Sequence, residues 1–296
     1  MATASASSYD TLIVDLSAPV TTITLNRPER KNAVSPEMID EFDRVLDELD
    51  ARDDITVVVI KGAGSSFCSG YDIKAHFRGA GMGEPEAKRA QYEDLQWNKQ
   101  TVARWARLWD MPKVTIAQVH GYCLAGGLMI ALQCDLVYAA DDAKIGQPMA
   151  RKMAMTPDFS LWPLTIGLRQ TKELLFTGDL VTGAEAARLG MVNRSMPESE
   201  LDEYVSWLAD RIALASPGML QTHKFAVNEV ADAMGYRAML TASIHADTVQ
   251  HYLTENHEFR ASVQDSAGMR GPLQNRDRAY GGVVTRDEAW ARRKDG

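Results

Sequence analysis

Residues 55–60 form a continuous, mostly β-branched apolar run, the pattern of a strand covered on both faces, and this run leads straight into Lys61-Gly62-Ala63-Gly64. Residues 114–119 form a second such unit, followed by Gly121 and then Gly126-Gly127. Ahead of them, residues 12–16 and 21–25 are β-rich and separated by Ser17-Ala18-Pro19, which predicts a hairpin that ends at Asn26-Arg27-Pro28. Ser35 before Pro36 marks a helix start, and Ile39, Phe42, Leu46 and Leu49 recur at helical spacing until Asp53-Asp54. Residues 128–132 read as a helix and 136–139 as a strand. Twice, then, a buried strand leads into a glycine-containing turn and a helix.

Downstream the period becomes helical, over residues 159–166, 170–176, 183–189 and 199–214, with a last helical region over 219–253 after Pro217-Gly218. Beyond Glu258 the apolar period fades into Gly, Arg and Asp. The expected division is a disordered tail over 1–8, a β/α core over 9–200, a helical region over 201–258 and an extended tail over 259–296. No internal repeat of fixed period and no low-complexity block interrupts this order.

With 296 residues, 45% of them hydrophobic, the chain can bury a large core. Its net charge of −8 argues against a nucleic-acid partner, because such binding draws on clustered Lys and Arg. The three cysteines, Cys68, Cys123 and Cys134, form no CxxC pair, so neither a disulfide scaffold nor a structural zinc site is expected. The first residues lack the pattern of a secretory signal and no apolar run reaches the length of a membrane span. A cytoplasmic protein without a membrane partner fits these features.

The two turns carry the chemistry. Glycine lets backbone approach a ligand closely and leaves N–H groups free to point outward. Gly64 through Ile73 and Gly121 through Gly127, following neighbouring strands, could give two hydrogen bonds to one developing oxyanion. The second turn also opens a helix, whose N-terminal dipole would add to the effect. Either turn alone reads first as a device for packing a strand against a helix.

Together with their surroundings these segments resemble the crotonase family, the enoyl-CoA hydratase and isomerase superfamily. The motifs that carry the resemblance are Ile23-Thr24-Leu25-Asn26-Arg27-Pro28-Glu29 with Asn32-Ala33, Phe67-Cys68-Ser69-Gly70-Tyr71-Asp72-Ile73, residues 112–127, Cys134-Asp135, Gly146-Gln147-Pro148, and Thr177-Gly178 through Gly190-Met191-Val192-Asn193. They span roughly residues 10 to 230 in family order. The resemblance implies an α/β fold, a crotonase-type spiral of ββα units with a C-terminal helical trimerisation region, assembled as a homotrimer or as a hexamer of paired trimers. It implies an acyl-CoA substrate, no cofactor beyond the coenzyme A moiety, and a thioester carbonyl held by the backbone N–H groups of Tyr71 and Gly126. Arg30 and Lys31 stand where relatives contact CoA phosphates, and Ala33, Ser69, Gly70, Asp72 and Ile73 where they line the pantetheine and adenine pocket. Solvated loop charge remains the alternative for Arg30 and Lys31, and a cap on the following turn the preferred role for Asp72.

Hydratases of the family use two glutamates to position and deprotonate water. Met129 occupies the first position, three residues after Gly126, and Met149 the second, after Gly146-Gln147-Pro148. A thioether cannot serve as acid or base. Asp158, in a loop about three residues shorter than usual, lies close to where dienoyl-CoA isomerases carry a catalytic aspartate and aryl-CoA dehalogenases a nucleophilic one. It reads equally as a helix N-cap; a wall of Met129, Met149 and Phe159 would raise its pKa toward the range useful for proton transfer, and these three with Trp162 are expected to line the acyl pocket. His120 reads as a structural hydrogen-bonding residue, His76 as a lid position and Cys123 as a small buried apolar residue. Arg151 and Lys152 are expected to face solvent or a subunit neighbour, while His251, Tyr252 and His257 lie where the family can send groups toward a neighbouring site. Three functions remain open: an isomerase or lyase acting through a thioester enolate, a hydrolase or carbon–carbon-cleaving enzyme using Asp158, and a catalytically silent acyl-CoA binder.

Overall fold

The computed structural model of the protein describes residues 9–75, 88–153 and 161–295; the tail expected over residues 1–8 lies outside them. β1 (Leu12–Asp15) and β2 (Val20–Leu25) form the expected hairpin, with Leu12 opposite Leu25. α1 (Pro36–Asp50) starts where Ser35 and Pro36 predict, with the Ser35 hydroxyl accepting from the Met38 N–H. Its predicted face of Ile39, Phe42, Leu46 and Leu49 is buried throughout. Each such side chain contributes about 1.5–3 kcal/mol on leaving water.

The chain continues through β3 (Val57–Gly62), α2 (Lys88–Asp110), β4 (Val114–Val119), β5 (Tyr122–Leu124), α3 (Gly126–Leu132), β6 (Leu136–Ala140) and β7 (Lys144–Gly146). It then forms α4 (Trp162–Thr165), α5 (Gly167–Thr177), β8 (Leu180–Thr182), α6 (Gly183–Leu189), β9 (Arg194–Met196) and α7 (Glu198–Ala213). The main sheet runs β1-β2-β3-β4-β6-β9 and is parallel except between β1 and β2. Val57 through Ile60 are buried because β3 lies between two parallel neighbours and under α7, which crosses β2, β3, β4 and β6. A smaller sheet, β5-β7-β8, stands beside it.

The rest departs from expectation. The single helical region over 219–253 is two helices, α8 (Pro217–Ala233) and α9 (Tyr236–His251), because Gly235 between them is left-handed at φ 101°. The supposed extended tail over 259–296 instead carries most of α10 (Thr254–Gln264), then α11 (Arg270–Asp277) and α12 (Arg286–Asp295). Its apolar period fades because polar residues share the buried faces: Arg260, Arg276 and Asp277 are buried alongside Phe259 and Val263. α12 is held by a reciprocal cap between Thr285 and Glu288. Among the described residues no helix is long and apolar enough to cross a membrane.

Candidate active site

The two glycine turns meet. Cys68 donates its N–H to the Tyr122 carbonyl at 2.9 Å and accepts from the Leu124 N–H at 3.0 Å, which stitches the first turn to β5. On the opposite edge Val34 donates to the Gly70 carbonyl at 2.9 Å and accepts from Asp72 at 2.8 Å. Because N–H groups alternate sides along an extended strand, that of Tyr71 is directed away from Val34 and toward the Leu124–Gly126 side. Gly126 opens α3, so its N–H has no acceptor within the helix, and among the described residues it meets none elsewhere. Ala125 ahead of it is held at φ 49°, an uncommon conformation for a residue with a side chain.

Contact between the turns leaves no room for side chains. A Cβ on Gly126 would stand 2.5 Å from Cε2 of Tyr71, one on Gly127 2.6 Å from Cβ of Cys68, and one on Gly70 2.9 Å from Cβ of Ala125. The Tyr71 ring therefore lies directly over the Gly126 backbone. α2 fixes it there: Trp105 donates Nε1–H to the Tyr71 hydroxyl at 2.7 Å, and Trp97 meets the ring edge-on at a centroid distance of 6.3 Å. Neither tryptophan was singled out from the sequence, because the polar run around them hides the helix that carries them.

The residues matched to CoA contacts lie along one edge. Ser69 donates its N–H to the Lys31 carbonyl and its hydroxyl to the Arg30 carbonyl, which fastens residues 30–33 to residues 69–73. Arg30 and Lys31 are exposed, with the Lys31 ammonium 4.1 Å from the centre of the Tyr122 ring. The carbonyl of Ala33 accepts from Arg27, whose guanidinium also pairs with Asp72 at 3.1 Å. Asp72 accepts from the Ala75 N–H at 3.4 Å, the capping geometry expected of it, and Ile73 begins that turn. His120 is structural, its Nε2 lying 2.9 Å from the Gly64 carbonyl. Burial pushes the Cys68 thiol up to about 12, so it offers no thiolate near neutral pH.

The profile of the enoyl-CoA hydratase/isomerase family matches residues 15–272. The chain belongs to that family. It is similar to an enoyl-CoA hydratase from Mycobacterium smegmatis known from a crystal structure, with 31% identity and a TM-score of 0.81 over 92% of this chain and 94% of that one. It is also similar to the hydroxycinnamoyl-CoA hydratase-lyase of Pseudomonas fluorescens, 32% identical over 73% of this chain and 77% of the relative. A short-chain-enoyl-CoA hydratase of Clostridium acetobutylicum is 30% identical over 73% of this chain and 80% of its own length. The crotonase fold expected from the motifs is thus the fold observed.

The two positions that the motifs match to family glutamates have different surroundings. Met129 is fully buried in the apolar core. Met149 sits on a short turn (Pro148–Arg151), where Arg276 of α11 donates Nη1–H to its sulfur at 3.1 Å. Arg276 is otherwise bidentate to Asp277, which also pairs with Arg151 at 3.1 Å. The side chain of Arg151 is wholly buried, correcting the expectation that it faces solvent; it binds Asp179 and the carbonyls of Thr177 and Gly282 as well. A short periodic reading could not find this cluster, since its members lie some 126 residues apart. Trp162 is fully buried, and its indole nitrogen has no partner among the described residues. Asp158, Phe159 and His76 lie outside the described residues.

Proposed function

We propose that the chain binds an acyl-CoA thioester, polarises its carbonyl through the backbone N–H groups of Tyr71 and Gly126, and works through the resulting enolate as an isomerase- or lyase-type enzyme. The observation that supports this reading is the meeting of the two turns, with a helix-opening Gly126 N–H that has no acceptor among the described residues and lies against the Tyr71 segment. Backbone donors fixed in advance stabilise developing negative charge without reorganising, an effect worth about 3–4 kcal/mol per donor in acyl transfer. CoA would run along residues 30–33 and 69–73.

With Met129 and Met149 at the glutamate positions, ordinary addition of water loses its acid and base. Asp158 is the candidate for proton transfer, and hydrolysis or carbon–carbon cleavage through the same carboxylate is the variant of this chemistry. Incubating enoyl-CoA and acyl-CoA thioesters in deuterated buffer tests the reading. Exchange at the α-carbon supports it, and neither exchange nor turnover with any thioester overturns it. Asp158→Asn should abolish turnover while CoA still binds; surviving activity removes Asp158 from the mechanism.

A catalytically silent acyl-CoA binder is the second reading. It is favoured by the complete burial of Met129 in the core and by the contact of the partly buried Met149 with Arg276. Thioester binding without product by mass spectrometry would select it. We further read the chain as a homotrimer or paired trimers, because α8 and its surroundings expose Leu214, Met219, Phe225, Val227, Val230 and Met234 together. Sedimentation at the monomer mass would exclude that assembly.

A further inference from the structure

Beyond the Tyr71 ring the structure contains a second polar assembly, built from three helices. Asp94, Asn98, Thr101 and Trp105 share one buried face of α2, at spacings of four, three and four residues. Trp105 and the adjacent Trp97 hold Tyr71, so Asp94 lies one helical turn beyond the contact that defines the thioester end. Facing it from α9 are Asp247 and His251: His251 Nδ1 is 2.8 Å from Asp94, and its Nε2 3.6 Å from Asp247. Tyr252, and Asn256 and Arg260 of α10, complete the group. Asn256 donates its side-chain N–H to the Met153 carbonyl, and Met153 closes the turn that carries Met149. The assembly therefore reaches from the helix that positions Tyr71 to the turn that carries Met149.

Part of its hydrogen-bonding capacity has no partner among the described residues. Oδ1 of Asp94, Oδ1 of Asp247, Oδ1 of Asn256 and the Tyr252 hydroxyl are all buried without a partner among the described residues. Asp94, Asp247 and Asn256 are each at least 97% buried, at relative exposures of 2%, 3% and 3%. Leaving such groups unmatched costs about 1–3 kcal/mol apiece, so four together are a poor way to build a mere helix contact. A cavity of about 290 Å³, lined in part by Lys152, Met153, Gln250, Leu253 and Asn256, opens at the same corner. Three of the four orphan atoms are acceptors, so the missing partner is a donor. Arg260 and the His251 ring already face the two carboxyl groups, so that donor need carry no charge.

We propose that this assembly is the acyl-end subsite, and that it receives a hydroxyl group at the end of the acyl chain remote from the thioester. The inference rests on the acyl-CoA reading above and narrows it to hydroxylated acyl groups, aliphatic or phenolic. A subsite built to bond a hydroxyl rejects the analogue lacking it, because its own buried groups are then stranded.

The test is binding of matched saturated CoA thioesters, in which no turnover intervenes: an alkanoyl-CoA against its ω-hydroxy counterpart, and a phenylpropanoyl-CoA against its 4-hydroxy counterpart. The hydroxylated member of one pair should bind about tenfold or more tightly. In Tyr252→Phe, which deletes a single oxygen, and in Asp247→Asn, that ratio should fall to about two or less. Which pair shows the preference tells an aliphatic from a phenolic hydroxyl. Equal binding within both pairs overturns the subsite while leaving the acyl-CoA reading intact, as does a preference that survives both substitutions. Failure of all four thioesters and of CoA itself to bind overturns the acyl-CoA reading, and the subsite with it.

Discussion

Around Tyr71 and Gly126 the site is made of backbone, whereas one helical turn beyond Trp97 it is made of side chains. The backbone end comes from two short contiguous segments, residues 68–73 and 121–127, and its geometry follows from glycines that cannot be enlarged. The other end gathers Asp94 and His251 across 157 positions, and Met149 and Arg276 across 127. On the proposed reading, a site built this way can keep its carbonyl-binding element through wide changes in chemistry, because backbone donors do not depend on which side chains surround them. Its reaction and acyl preference can then change at the other end.

The largest effect should come from unfastening that second end. Arg151→Met removes a wholly buried guanidinium and leaves Asp179 and part of Asp277 without their partner. Breaking a buried pair in this way costs about 3–5 kcal/mol, read as a shift in the urea midpoint. CoA alone should still bind the folded variant, since the hydrogen bonds of Arg151 among the described residues go to Thr177, Asp179, Asp277 and Gly282 rather than to residues 30–33 and 69–73. An unchanged midpoint would show that α11 is not strapped to the Met149 turn through this residue.

Gly126→Ala probes the backbone end. Its Cβ would strike the Tyr71 ring, which Trp105 and Trp97 keep from moving aside, so turnover or α-carbon exchange should fall about 10²–10³-fold. Removing the ring in Tyr71→Ala/Gly126→Ala should restore much of the loss, because the part of Tyr71 that matters here is its N–H. No recovery in the double variant would shift the role of Tyr71 from backbone to side chain. A smaller consequence follows for Trp105→Phe, which deletes the hydrogen bond to the Tyr71 hydroxyl. About 1 kcal/mol, or roughly fivefold in turnover, is expected.

The same contrast explains what could be read from the sequence. Strands β3 and β4, helix α1 with its Ser35 cap, and both glycine turns were legible because each is specified within a few consecutive residues. The pairing of Val34 with Gly70 and Asp72 is longer in range, but it joins segments whose motifs had already marked them. α2 and the helices beyond residue 258 were not legible, since they bury Asp94, Asn98, Arg260, Arg276 and Asp277, and buried polar faces whose bonds go to remote residues leave no apolar period. Arg151 looked like a surface charge for the same reason: its four partners lie between 26 and 131 residues away.

The smallest expected effect is a pH dependence confined to the side-chain end. Burial pushes the Asp247 carboxyl up to about 7; His251 and Arg260 oppose the rise, and Asp94 adds to it. Burial acts to lower His251, but the hydrogen bond to Asp94 and the charge of Asp247 outweigh it and raise its pKa above the ordinary value. Both groups hold a proton more tightly when folded than when unfolded. The stability from Asp247 is therefore complete below the ordinary carboxylate range and is lost as pH rises to about 7, and that from His251 is lost above its ordinary value. The melting temperature should fall by a few degrees between about pH 5.5 and 8.5, in keeping with ~2–4 °C per kcal/mol for a chain of this size. Asp247→Asn, which cannot ionise, should flatten most of that slope, while Gly126→Ala should leave it in place. If instead Gly126→Ala flattens the slope as Asp247→Asn does, the two ends are not independent, and the division between a backbone end and a side-chain end fails.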